Sequence, residues 1–111
     1  MNRGALLVFS VSVTQLTIAD NCADRILKEG DLIYPRKHSG WEVLADGQSC
    51  SVYVRYGLSS QGKPEDIESY VVRQGCEMFE NSAKKAIMRT EFGNGVPETG
   101  CEYEYTFEFE S

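Results

Sequence analysis

Few residues in this 111-residue chain are equipped for covalent or metal chemistry: four cysteines (Cys22, Cys50, Cys76, Cys101) and one histidine, His38. The cysteines form no C-x-x-C pair, and structural zinc usually takes its ligands from such local pairs. An even set of widely spaced cysteines in an exported chain reads instead as two disulfides. His38 sits between Lys37 and Ser39-Gly40 with no nucleophile signature beside it, and reads as a surface histidine. Asp and Glu number 17, so pairs such as Asp66/Glu68 and Glu77/Glu80 arise from composition and carry no glycosidase signature. Gly93-Asn94-Gly95 is too short to cradle a phosphate and precedes no helix. These residues point away from an enzyme and call for no cofactor and no metal.

The informative chemistry lies at the C-terminus. Residues 102–110 read EYEYTFEFE. Tyr103, Tyr105, Phe107 and Phe109 alternate with Glu102, Glu104, Thr106, Glu108 and Glu110, and only a β-strand puts these two rows on opposite faces. Aromatic residues on one side and acids on the other give a strand with one buried face and one wet face.

Composition bounds the partner. The net charge of −6 argues against nucleic acid, whose phosphates require clustered Lys and Arg. Hydrophobic residues make up 41%, too many for a disordered chain, and the length suits one domain. Residues 1–19 differ from the rest. Arg3 is followed by an uncharged, moderately apolar stretch from Ala5 to Ala19 that ends Thr17-Ile18-Ala19. This pattern predicts a secretory signal peptide cut after Ala19, with a short membrane anchor as the competing reading. Asp20-Asn21 before Cys22 does not resemble a lipoprotein site.

Several elements must position the C-terminal strand. Residues 20–33 form an N-terminal segment in which Ala23, Ile26 and Leu27 fall at i, i+3, i+4, and Gly30 ends the run, so a helix is expected there. Pro35 suits the first position of a further short helix over 36–44. Cys50, Val52, Val54, Tyr56 and Leu58 alternate with smaller or polar residues, which predicts a strand over 50–58. Ser60-Gln61-Gly62-Lys63 is a hairpin connection. Pro64 cannot donate to a ladder, so the next strand is expected over 66–73, at a sheet edge. Phe79, Ala83, Ala86, Ile87 and Thr90 recur at helical spacing and predict an amphipathic helix over 77–90. The order helix, strand, strand, helix, strand gives an α+β fold: a three-stranded antiparallel sheet packed on two helices. The last strand is expected beside the first of the hairpin, leaving it as an edge. In such a hairpin Cys50 faces roughly residues 73–74, so a Cys50–Cys76 bridge is sterically natural, and Cys22–Cys101 follows by exclusion.

Over residues 34–110 the chain resembles the C-terminal domain of the TonB family. The stretches that carry the resemblance are Tyr34-Pro35, VYVRYGLSSQGKPEDI (52–67), MFENSAKKAIMRTEF (78–92) and TFEFE (106–110). The chain departs from the family in having three prolines in all and no Pro-rich spacer, and in its four cysteines. The resemblance implies a TonB C-terminal-like domain over 34–111 in a Gram-negative periplasm. It also implies a non-enzymatic role: binding an extended peptide by β-strand addition, in association with TonB-type transport across the membrane. The implied partner is a protein or peptide, such as a TonB-dependent outer-membrane transporter, and a homodimer stays open. No nucleic acid and no small-molecule substrate are expected.

The docking residues would then be Glu102, Tyr103, Glu104, Tyr105, Thr106, Phe107, Glu108 and Phe109. The acid row would favour a peptide carrying Lys or Arg. Equally, it would protect an exposed edge from aggregation. Tyr34 reads as a turn residue packed on the core, and Trp41 as a half-buried core aromatic or a partner anchor. The alternative function is a secreted, disulfide-stabilised inhibitor or structural domain unrelated to transport, presenting the loop 93–97.

Overall fold

The alternation beginning near Cys50 produces a ten-residue strand. In the computed structural model, which describes residues 22–36 and 48–108, the elements run as follows. Strand β1 is Ile26–Lys28, β2 is Ser49–Leu58 and β3 is Pro64–Val71. A 3-10 turn, Cys76–Phe79, leads into helix α1, Glu80–Arg89. Strand β4 is Glu91–Phe92 and β5 is Glu98–Glu108. The expected signal at 1–19, His38, Trp41 and Phe109 lie outside the described residues, as does the helix expected over 36–44 apart from Arg36.

The main sheet is antiparallel with the order β3-β2-β5. Gly62 makes the hairpin possible: it sits at φ +79° and its would-be Cβ would collide with the carbonyl oxygen of Phe92. Pro64 is the first residue of β3, two residues earlier than expected, and pairs with Leu58. That position needs no ladder donor.

One face of the sheet carries the core. Val52, Val54, Tyr56, Tyr105 and Phe107 are buried there with Phe79, Ala83, Ala86 and Ile87. The two alanines let α1 approach the sheet closely. Phe79 stacks on Phe107 with ring centroids 4.6 Å apart. Each fully buried phenylalanine contributes about 2–3 kcal/mol of burial free energy. Disulfides join Cys50 to Cys76, with Cα atoms 5.5 Å apart, and Cys22 to Cys101, at 5.9 Å. All four cysteines are buried.

One expectation needs correction. The helix expected over 20–33 does not run through the described residues 24–33: among the described ones only Cys22 and Ala23 are helical, and Ile26–Lys28 is a strand paired with Glu91–Phe92. Local spacing placed Ala23, Ile26 and Leu27 on one face, yet Ala23 is exposed and Leu27 is 73% exposed. Long-range bonds override the local pattern. The Arg25 guanidinium donates to the carbonyls of Gly93 (3.0 Å), Val96 (2.7 Å) and Ser59 (3.1 Å), and Gly93 N donates back to Arg25 O at 2.7 Å. Helix α1, packed on the sheet, is the one α-helical element among the described residues.

Candidate docking edge

Among the described residues, strand β5 pairs with β2 along one side only, and its far side is an edge of the sheet. The register from Ser49↔Glu108 to Tyr56↔Cys101 is unbroken. In an antiparallel ladder, alternate residues turn both backbone groups towards the partner strand and the others turn both away.

Tyr34 reveals which residues turn away. Its hydroxyl accepts from Glu108 N at 2.9 Å and donates to Glu108 O at 3.1 Å. Glu108 therefore points its N–H and C=O away from β2, and by alternation so do Thr106, Glu104 and Glu102. Ser49 agrees from the other side, since its carbonyl accepts from Arg73 at 2.8 Å rather than from β5. Cys101, Tyr103, Tyr105 and Phe107 spend their backbone groups on β2.

The edge is bounded at both ends. Between Tyr56 and Leu58 the β2–β5 register slips, because Cys101 and Glu98 oppose two residues of β2 across three steps of β5. This bulge contains Gly100, at φ +73°. At the other end Tyr34 occupies Glu108. Between them, Glu102, Glu104 and Thr106 offer six backbone groups with no backbone partner among the described residues.

The eight expected docking residues therefore divide. Glu102, Glu104 and Thr106 hold the open backbone groups. Tyr105 and Phe107 are core residues. Tyr103 is half-buried at the rim, Glu108 is already bonded, and Phe109 lies outside the described residues. The alternating pattern marked the strand, but the bond from Tyr34 crosses 74 positions, and no local signal could announce it.

The open face of the sheet carries its own arrangement. Tyr53 and Tyr70 stand opposite each other and stack at 5.2 Å. The Arg55 guanidinium lies 4.8 Å from the Tyr70 ring centroid and its Nε donates to Glu102 Oε1 at 3.2 Å. Tyr70 OH donates to Glu102 Oε2 at 3.3 Å. The bond to Glu102 is the main cause raising the Arg55 pKa. Glu102 is thus engaged at both oxygens. Glu104, exposed and opposite Tyr53, has no side-chain partner among the described residues.

The chain matches no family model and no curated protein.

Beneath the edge lies a tyrosine cluster. Tyr56 and Tyr105 are both pushed up to about 12, chiefly because burial disfavours the phenolate. Tyr103 is raised too, by burial first and then by the Glu29 carboxylate. Thr90 Oγ1 donates to Ala86 O at 2.9 Å and accepts from Gly30 N at 3.1 Å. Tyr105 bonds Thr90 and Tyr103 bonds Glu29, so this layer suits a structural role that ties the N-terminal segment to β5. A shallow groove of about 290 Å3 runs beside Tyr34, lined by Met78, Asn81, Lys85 and Arg89. Among the described residues no group of His, Cys, Asp or Glu is placed to hold a metal ion.

Proposed function

We propose that this protein is an exported, TonB C-terminal-like interaction module that binds an extended peptide by adding it as a fourth strand beside β5. The observation that carries the reading is the open edge of Glu102, Glu104 and Thr106, next to a sheet already paired on its other side. Strand addition draws affinity from main-chain bonds and selectivity from the side chains alongside. Six such bonds at about 1 kcal/mol each correspond to a Kd of tens of micromolar before the cost of association. Side-chain contacts must therefore supply part of the affinity. The disulfides suit an oxidising compartment such as the periplasm. The likeness to the TonB family, a second helix over the sheet and a link to TonB-type transport belong to the same proposal.

The test uses a nine-residue peptide of alternating Lys and Val, titrated into the disulfide-bonded protein by fluorescence anisotropy. A second probe carries N-methyl groups on alternate amides, and a third on the remaining ones. The reading expects one methylated probe to bind like the parent and the other to lose binding, since only alternate amides face β5. Equal binding by all three, or by none, contradicts strand addition.

One observation favours the alternative of an inhibitor or structural domain. Loop 93–97 is clamped by Arg25 and by Gly95 N donating to Ser60 O at 3.0 Å, yet Val96 at its tip is 73% exposed. A rigid loop presenting an apolar tip is preorganised for insertion into a partner's pocket. Under that reading Val96→Asp abolishes partner binding and Glu104→Pro leaves it intact.

A further inference from the structure

We propose that the Tyr34 hydroxyl sets the length and register of the docking edge, so that the occupant pairs with 102–106 and carries Lys or Arg opposite Glu104. The inference rests on the strand-addition reading and deepens it. A visiting strand pairing with Glu108 would need to bond its N–H and its C=O, and the one hydroxyl of Tyr34 already serves both. The ring is held in place by edge contacts with Phe79 at 6.4 Å and Phe107 at 5.0 Å. It stands at the end of the edge as a built-in stop.

The same geometry selects the partner's charge. A residue directly opposite Glu104 projects from the same face of the sheet. There it meets a carboxylate with no partner among the described residues, while Glu102 nearby is held by Arg55 and Tyr70. One cation, placed at one position, completes the face. A second copy of this chain fits poorly: antiparallel pairing of two β5 edges in full register sets Glu104 against Glu104, and like charges directly opposite are destabilising. The occupant is therefore a basic extended segment of another protein.

The experiment compares nine-residue and five-residue alternating Lys/Val peptides, and a nine-residue Glu/Val peptide, on wild type, Tyr34→Phe and Glu104→Lys. Tyr34→Phe keeps the packed ring and removes only the hydroxyl. It is expected to tighten the nine-residue Lys/Val probe about fivefold by opening Glu108 to pairing, and to leave the five-residue probe unchanged. The Glu108 amide, slow to exchange in the wild type, becomes fast in the unbound variant. Glu104→Lys is expected to weaken Lys/Val binding about threefold and to favour the Glu/Val probe. If the probes bind wild type but Tyr34→Phe changes neither length dependence nor Glu108 exchange, the stop is wrong and strand addition stands. If Lys/Val and Glu/Val bind alike, the charge selection is wrong. If no probe binds wild type, both the inference and the reading beneath it fall.

Discussion

Proline substitutions along β5 separate the two sides of the strand. Proline has no N–H to donate, so its effect depends on where that N–H was spent. At Glu104 the N–H points off the sheet, and the residue is exposed. Glu104→Pro therefore removes no ladder bond and is expected to cost at most about 1 kcal/mol of stability. At Tyr103, opposite Val54, the N–H is spent on β2. Tyr103→Pro removes that bond and strands a carbonyl beside a buried residue, which costs about 1–3 kcal/mol beyond the loss of the side chain. Tyr103→Ala supplies the side-chain reference. With a urea dependence of about 1 kcal/mol/M for a domain of this size, Tyr103→Pro unfolds roughly 1–3 M earlier than Tyr103→Ala. Glu104→Pro stays within about 1 M of wild type and yet loses the Lys/Val probe. If Glu104→Pro destabilises as much as Tyr103→Pro does relative to Tyr103→Ala, the far side of β5 is not open and the alternation derived from Tyr34 is wrong.

Three further outcomes follow from the same structure. Tyr56 and Tyr105 keep their protons in the fold up to about 12, against about 10 in the unfolded chain, so stability holds below pH 10 and falls as pH rises from 10 to 12. The loss approaches about 2–3 kcal/mol for each group, and brief denaturant titrations at stepped pH with Tyr56→Phe and Tyr105→Phe read it. Cys22–Cys101 closes 79 residues and Cys50–Cys76 closes 26, so loop entropy ranks them at about 4.5 and 3.5 kcal/mol; paired Cys→Ala variants measured by unfolding give the order. Arg25→Met removes three bonds to carbonyls and is expected to cost about 2 kcal/mol, with faster exchange at the Gly95 amide.

What could be read in advance was set by neighbours in sequence. The alternation of Cys50, Val52, Val54 and Tyr56 carries the period of a half-buried strand, and Phe79, Ala83, Ala86 and Ile87 carry the period of a helix face. Once the hairpin was placed, Cys50 and Cys76 had to lie close together, and the cysteine pairing came from chain geometry. The N-terminal segment departs from its local pattern because its conformation is fixed from outside. Ile26 lies against Phe92 and Arg25 reaches the loop at Gly93 and Val96. These partners sit about 70 positions away and outweigh the weak helical preference of a short run. The limit of the docking edge was hidden for the same reason. Tyr34-Pro35 announces a turn, and nothing local to it says that the hydroxyl ends on the backbone of Glu108.

Amide hydrogen exchange along β5, read residue by residue with and without the Lys/Val peptide, bears most directly on the claim that this edge receives a visiting strand. The account predicts fast exchange at Glu102, Glu104 and Thr106 in the free protein and slow exchange at Tyr103, Tyr105 and Glu108. Saturation with the peptide slows the first three and leaves the others as they were. Glu102, Glu104 and Thr106 already slow in the free protein, or still fast in the saturated complex, would contradict it.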